Sequence, residues 1–134
     1  MTNKGVEQKP SETALFAALR RAIANKEFKN EQFGPDHLAE CFLPPHFRFF
    51  LRFQRMRTNI KDRLNGFLPG LTEYMIARTA YFDRLFGDAL DSRTPQIVLL
   101  GAGYDSRAYR FANANQGTRI FELDIAPTQD RKRK

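Results

Sequence analysis

The sequence predicts half of a doubly wound α/β sheet preceded by a set of helices. Two short apolar segments, 96–100 and 119–124, have the length and composition of strands, and a tight Gly-Ala-Gly turn at 101–103 follows the first. The segment between them has the pattern of a helix followed by a loop. Upstream, apolar residues recur at helical spacing in three segments between residues 11 and 87.

The N-terminal part predicts one clear helix. Residues 1–10 are polar, and we expect them to be disordered. Ser11 is a suitable N-cap, which places a helix over about 11–25. Residues 26–45 contain Gly-Pro and Pro-Pro pairs and are predicted to be irregular, apart from a short helix at about 36–42. The apolar face of the first helix is formed by Leu15, Phe16, Leu19 and Ile23.

The segment 46–64 is both aromatic and basic. An apolar residue occurs at every third or fourth position, which predicts one continuous helix with a single apolar stripe. Three interpretations are open: the stripe packs on its own domain, lies on an anionic membrane, or stacks on bases. The spacing favours packing. The stripe consists of Phe49, Phe53, Met56, Ile60 and Leu64.

Glycine and proline residues end this helix, and a further helix is predicted at 71–87, closed by Gly87. The first strand, at 96–100, is apolar almost throughout and is predicted to be wholly buried. After the glycine turn we expect a helix at 105–113 and a loop at 113–117, which lead to the second strand. The sequence contains no internal repeats.

Length and composition fit one globular domain, with 134 residues, 42% of them hydrophobic and 28% charged. The net charge of +7 is concentrated at 48–63 and in the last four residues. This pattern predicts a solvated helix face and a charged tail, with binding to nucleic acid or an anionic membrane as the alternative.

Cys41 is the single cysteine, which excludes an intramolecular disulfide. No apolar stretch approaches 18 residues and no signal peptide is recognisable, so we expect no membrane span and a cytoplasmic location.

The glycine turn has features that suit the close approach of a ligand. Glycines let the backbone bend sharply, and a following helix offers free N–H groups at its start. In parallel sheets, ligands bind beyond the carboxyl ends of the strands. Asp124 lies 21 residues after Gly103, and Glu122 lies 21 residues after Gly101. At this spacing an acid can accept hydrogen bonds from ribose hydroxyls, so the sequence predicts a ligand that contains adenosine.

Two residues favour S-adenosylmethionine over NAD as that ligand. Dinucleotide sites use Gly-x-Gly-x-x-Gly, whereas this chain has Ser106 in the third position. Asp105 stands where a pyrophosphate would lie, and neighbouring negative charges repel each other. S-adenosylmethionine has no phosphates and carries an ammonium and a sulfonium group. A fragment of an NAD-dependent oxidoreductase is therefore the less favoured alternative.

The position of Arg78 is the next indication. On a helical wheel, an apolar stripe within about 60° of Leu71 is formed by Leu71, Tyr74, Met75, Phe82, Leu85 and Phe86. Arg78 falls near the middle of this stripe. A buried charge is costly unless it is paired. Either Arg78 reaches the surface or pairs with a structural acid, or it binds an anionic group of a ligand. The carboxylate of S-adenosylmethionine is a candidate for that group.

Several motifs together resemble the leucine carboxyl methyltransferase family and related bacterial methyltransferases. They are GAGYDSRAYRF at 101–111, FELDIAP at 121–127, and Ala77-Arg78-Thr79 with the Tyr81, Phe82 and Asp83 that follow it. Thr13-Ala14 and Arg21-Ala22 are similar to the opening helix of these proteins. The resemblance covers roughly residues 11–130, which is most of the chain.

The resemblance implies a class I, Rossmann-like methyltransferase fold that uses S-adenosylmethionine, with O-methyl or carboxyl methyl transfer as the expected reaction. It implies that Arg78 binds the carboxylate of the cofactor, that the glycines line its methionine part, and that Asp124 binds the ribose. No catalytic residue and no metal ligand is predicted, and the methyl acceptor is not identified. The expected cofactor-binding residues are Arg78, Gly101, Ala102, Gly103, Asp105, Glu122 and Asp124.

The family fold implies about seven strands, and this sequence supplies two. We therefore expect a disordered segment at 1–10, a helical cap at 11–95, and a truncated cofactor-binding half at 96–134. On this interpretation the chain does not transfer methyl groups alone, and its incomplete sheet self-associates or binds a complementary fragment. A nucleic acid is not expected as a partner.

Overall fold

The structure is a computed structural model that describes residues 9–28 and 36–134. Within these residues the chain forms six α-helices, two 3-10 turns and a parallel pair of strands, which confirms the α/β class. In chain order, the elements are α1 (Glu12–Glu27), a 3-10 turn (Ala39–Phe42), α2 (Pro45–Phe50), α3 (Gln54–Phe67), α4 (Leu71–Asp91), β1 (Gln96–Leu100), α5 (Arg107–Arg110), a second 3-10 turn (Ala112–Ala114), β2 (Arg119–Leu123) and α6 (Ala126–Arg133).

Helix α1 begins where the sequence predicts it. The Ser11 hydroxyl accepts a hydrogen bond from the Ala14 N–H at 3.1 Å, as an N-cap does. One face of α1 forms the centre of the core, and Tyr104, from the turn after β1, packs there with 2% of its surface exposed. The core therefore ties α1 to the glycine turn. Its buried members are Ala18, Leu19, Ala22, Ile23, Ala39, Leu43, Leu51 and Tyr104.

The region between α1 and α2 is only partly described. The predicted disorder at 1–8 and the irregular segment at 29–35 lie outside the described residues. The short helix expected at 36–42 is a single 3-10 turn at Ala39–Phe42.

The predicted continuous helix over 46–64 is wrong, because the chain breaks into α2 and α3. The break buries the Leu51 side chain completely, and Phe53 takes an extended backbone conformation as it enters α3. Ile60 and Leu64 pack against the core, whereas Phe49 and Phe53 remain 54% and 51% exposed. The packing interpretation therefore holds for only part of the stripe.

Helix α4 continues four residues beyond its predicted end. Gly87 lies within the helix, where a side chain at its position would meet the Phe111 ring at 3.8 Å. Leu90, in the last turn, has 1% of its surface exposed, and this burial stabilises the extension past the glycine. The buried face of α4 also differs from the predicted apolar stripe. It is formed by Thr72, Met75, Thr79, Asp83, Phe86 and Leu90.

Strands β1 and β2 pair in parallel, with Val98 opposite Phe121 and Leu100 opposite Leu123. These four side chains share one side of the sheet and are 44–79% exposed. The prediction that β1 is wholly buried is therefore wrong. A parallel strand is buried on both sides only when further layers cover it, and within the described residues no layer covers this side.

The two helices of the C-terminal part also differ from the prediction. The helix expected at 105–113 is reduced to the single turn of α5 and a 3-10 turn. The basic C-terminus, expected to be a free tail, belongs to α6, where Lys132 is buried and Arg131 lies over the Tyr104 ring, 5.7 Å from its centre. The helix after the second strand is thus present. Among the described helices, none combines the length and the apolar character that crossing a membrane requires.

Candidate functional site

A cavity of about 460 Å³ opens at the carboxyl ends of the two strands, between α1, α4 and the glycine turn. This volume lies within the usual range for small-molecule sites. Six of the seven residues that the sequence analysis singles out line it: Arg78, Gly101, Ala102, Gly103, Asp105 and Asp124. The seventh, Glu122, does not.

The glycine turn needs glycine at both of its ends. Gly101 and Gly103 have φ values of +62° and +52°, in the left-handed region that other residues rarely adopt. The Ala102 N–H donates to the Leu123 carbonyl at 3.0 Å, which fixes the turn to the end of β2. Helix α1 packs so closely on Gly103 that an added Cβ would stand 2.9 Å from the Ala14 Cβ.

Asp124 is fixed by two backbone donors. Its Oδ2 accepts from the Gly103 N–H at 2.6 Å, and its Oδ1 accepts from the Ile125 N–H at 2.7 Å. Within the described residues it has no basic partner. Each carboxylate oxygen has two lone pairs, so the group can still accept hydrogen bonds from a ligand. The 21-residue spacing of Gly103 and Asp124 thus corresponds to a direct hydrogen bond between them.

Glu122 lies away from this cavity and has a structural partner. Its Oε1 is 2.7 Å from the Lys132 Nζ, and the Lys132 side chain is 99% buried, with a relative exposure of 1%. Because sequence reasoning did not predict α6, it could not have predicted this pair. The ion pair anchors α6 to the sheet.

A network of three arginines and three aspartates forms part of the cavity wall, and of its members only Asp83 is outside the lining. Asp83, on the buried face of α4, accepts two hydrogen bonds from Arg110, at 2.6 and 2.7 Å. The Arg107 Nε lies 2.8 Å from the same carboxylate. Arg21 of α1 pairs with Asp36 at 2.8 Å, and Arg110 lies 3.6 Å from Asp36. The network therefore joins α1, α4 and the segment after the glycine turn.

The charge pairing in this network is strong enough to outweigh burial. Burial by itself lowers the pKa of Arg110, but the hydrogen bonds and the charge of Asp83 raise it, with a net increase. Arg110 therefore stays charged. Arg21 also donates to the Tyr104 carbonyl at 2.7 Å, so the network holds the backbone of the loop after β1.

Asp105 is paired in the same network. Its side chain accepts from the Arg107 N–H at 2.8 Å and forms an ion pair with the Arg107 guanidinium. Its negative charge is thus largely balanced by a neighbour. An unpaired Asp105 would repel the pyrophosphate of a dinucleotide, as the sequence predicts. Because Arg107 pairs with Asp105, this repulsion is weaker than predicted.

Arg78 differs from the other arginines of the cavity. It is exposed rather than buried, because the buried face of α4 lies about 100° around the helix from it. The wheel prediction that the stripe is buried at Arg78 is therefore wrong, and its exposure agrees with the alternative in which Arg78 reaches the surface. Within the described residues it has no acidic partner, and its guanidinium lies over the Phe82 ring, 5.5 Å from the ring centre. It remains available for an anionic ligand group.

Sequence reasoning missed the part of the cavity wall that comes from α1 and the charge network. A signal for the network was present. Thr72, Thr79 and Asp83 recur at helical spacing on α4, and Arg107 and Arg110 are three residues apart. The additional lining residues include Ser11, Thr13, Ala14, Ala17, Arg21 and Asp36. The described part of the chain contains no cluster of three or more His, Cys, Asp or Glu residues that could hold a metal ion.

The relatives found by comparison with known proteins carry the same kind of name. A protein of Mycolicibacterium smegmatis is 34% identical over 122 residues, which are 91% of this chain and 40% of that protein. A Mycobacterium tuberculosis protein is 34% identical over 132 residues, covering 90% of this chain and 39% of its own length. Both are named, provisionally, S-adenosyl-L-methionine-dependent methyltransferases. The chain thus spans about two fifths of these curated relatives.

A shorter match is closer in sequence. A Mycolicibacterium paratuberculosis protein with the same provisional name is 46% identical over 57 residues. The family model for leucine carboxyl methyltransferase matches residues 14–134, which includes most of α1 and all of α4, the glycine turn and both strands. This chain belongs to the leucine carboxyl methyltransferase family.

Proposed function

We propose that this chain forms a binding site for S-adenosylmethionine and acts in methyl transfer. The observation that carries the proposal is Arg78, a cation without an acidic partner among the described residues, in the same cavity as Asp124 and the glycine turn. The names of the relatives support the same cofactor.

The cavity residues suit the parts of this cofactor. The Arg78 guanidinium suits the carboxylate of the methionine part, as a charge-assisted hydrogen bond. The close approach permitted by Gly101 and Gly103 suits the chain between carboxylate and sulfur. Asp124, held by backbone N–H groups, suits the two ribose hydroxyls. Glu122 is no longer part of the proposed site, because Lys132 already holds it.

When bound, S-adenosylmethionine supplies a methyl group on a sulfonium. We propose a carboxylate oxygen as the acceptor, in keeping with the family name: the oxygen forms a bond to the methyl carbon, the sulfur–methyl bond breaks, and its electron pair stays on sulfur. The products are a methyl ester and S-adenosylhomocysteine. The role of this chain is to hold the methionine and ribose ends, so that the methyl group points in one direction.

The helical part and the strand part contribute different walls of the site. We propose that residues 11–95 act as a cap over the cofactor, because α1 and α4 supply two walls of the cavity. Residues 96–134 supply the glycine turn and Asp124. The contact between Ala14 and Gly103 brings the two parts together.

Calorimetric titration with S-adenosylhomocysteine tests this function directly. We expect the parent chain to bind, and Arg78→Gln to weaken binding by about tenfold to a hundredfold, because a charged hydrogen bond contributes about 1.5–3 kcal/mol. Arg84→Gln is the matched control: Arg84 lies on the same helix, its one acidic partner among the described residues is Asp88 at 3.9 Å, and it is outside the cavity lining. Tighter binding of NAD or of a DNA duplex than of S-adenosylhomocysteine, or equal effects of both substitutions, would contradict the proposal.

A further inference from the structure

We propose that Phe82 is a positioning residue that holds the Arg78 guanidinium at the cavity before a ligand binds. The proposal rests on the proposed function, since it concerns how the same site takes the carboxylate end of its ligand. Phe82 lines the cavity, and 42% of its surface is exposed.

The Phe82 ring lies under two guanidinium groups. The Arg78 Cζ is 5.5 Å and the Arg107 Cζ is 5.6 Å from the ring centre. Both distances are within the range in which a cation is attracted to an aromatic face.

The two arginines differ in how firmly they are held. Arg107 is fixed, because its guanidinium contacts Asp83 at 2.8 Å and also pairs with Asp105, and only 13% of its side chain is exposed. Arg78 is exposed and has no acidic partner within the described residues. The ring therefore connects a guanidinium held by the charge network to one that is available for a ligand.

Contact with the Phe82 ring should raise the affinity for a ligand by ordering the Arg78 side chain before the ligand binds. A free arginine side chain has many rotamers, and restricting them when a ligand binds opposes binding. Arg78 lies four residues before Phe82 on α4, so the two side chains are neighbours on the helix surface. Contact with the ring restricts Arg78 in advance. The benefit applies only to a ligand whose anionic group meets Arg78.

The experiment compares two ligands by calorimetry on the full chain. S-adenosylhomocysteine carries the amino-acid carboxylate, and 5′-methylthioadenosine lacks it but keeps the ribose hydroxyls. We expect Phe82→Leu to weaken binding of S-adenosylhomocysteine about twofold to fivefold and to leave binding of 5′-methylthioadenosine unchanged. Phe82→Tyr keeps an aromatic face and should restore the affinity of the parent.

Two further variants separate positioning from packing. In an Arg78→Gln background, Phe82→Leu should have no additional effect on S-adenosylhomocysteine, because the group that it positions is gone. Tyr74→Leu is the control: it removes an exposed aromatic residue from the same helix but outside the cavity lining, and it should change neither affinity. Equal weakening of both ligands by Phe82→Leu, or a loss that persists without Arg78, overturns the inference while leaving the proposed function intact. If the parent binds neither ligand, the proposed function fails and this inference fails with it.

Discussion

Replacing Asp124 with alanine should weaken binding of S-adenosylhomocysteine and destabilise the chain at the same time. The carboxylate makes two hydrogen bonds to backbone N–H groups, at 2.6 and 2.7 Å. Each bond to a charged group contributes about 1.5–3 kcal/mol, so the free energy of unfolding should fall by about 3 kcal/mol or more. Loss of the acceptor for the ribose should cost about another 1–3 kcal/mol of binding free energy, or about fivefold to 150-fold in Kd.

These two effects can be measured separately. Urea unfolding gives the loss of stability, and calorimetric titration at a temperature where the variant remains folded gives the loss of affinity. Asp130→Ala is the control, because Asp130 is an exposed acid of α6 outside the cavity lining. If Asp124→Ala binds S-adenosylhomocysteine as tightly as the parent chain, Asp124 is not the ribose acceptor and the spacing argument fails.

Five further substitutions, in three comparisons, and one measurement on the unmodified chain test other parts of the structure. Gly103→Ala should destabilise the chain more than Gly101→Ala in urea unfolding. At both positions a side chain in the left-handed backbone conformation costs about 1–2 kcal/mol. Of the two, only Gly103 would place the new Cβ 2.9 Å from a methyl group of α1. Equal losses would contradict the close packing of α1. Asp83→Ala should lower the free energy of unfolding by about 3–5 kcal/mol, because it removes the main partner of two arginines whose side chains are only 13% and 7% exposed. Asp88→Ala, at an exposed pair, should cost less than about 1 kcal/mol. Similar thermal midpoints for the two variants would count against the network. Burial raises the pKa of Tyr104 in the folded chain, so the unfolded chain loses this proton first as pH rises, and stability should fall from about pH 10 upward. Tyr104→Phe should remove this part of the alkaline decline, and identical pH curves for the two proteins would refute the assignment. The exposed apolar side of the sheet should make the 134-residue chain self-associate in sedimentation equilibrium, and a monomer at all concentrations would show that prediction to be wrong.

The strands and the first helix could be predicted because their signals are local. Strand β1 has the predicted bounds, since an apolar segment is followed directly by a glycine turn. Helix α1 has a serine cap whose hydrogen bond forms within one turn. The break at Leu51 and the continuation of α4 past Gly87 depend instead on which side chains reach the core. The burial of Leu51 and Leu90 decides both, and no local pattern shows it.

In the candidate site, too, the features encoded by neighbouring residues could be predicted, and those that depend on distant residues could not. The glycine turn and the spacing to Asp124 come from residues that lie along one strand–turn–strand unit. The spacing of Asp83 on α4 and of Arg107 and Arg110 indicates charged residues on one face, but which side chains meet could not be predicted, because the partners are far apart in the sequence: Asp83 and Arg110 are separated by 27 residues. The apolar stripe at 71–87 predicts a packed face that includes Arg78. In the structure, Tyr74, Phe82 and Leu85 of that stripe are exposed, and its buried members Met75 and Phe86 share the packed face with polar residues.

The choice of ligand depends on which charges in the cavity have partners in the chain. Arg21, Arg107 and Arg110 each face an aspartate, so these cavity arginines are already balanced. Within the described residues, Arg78 has no acidic partner and Asp124 is held only by backbone N–H groups. A ligand therefore gains most if it brings one anionic group to Arg78 and hydroxyl donors to Asp124. An amino acid joined to a nucleoside carries both groups, so the ligand preference now follows from which charges are left unpaired rather than from repulsion by Asp105.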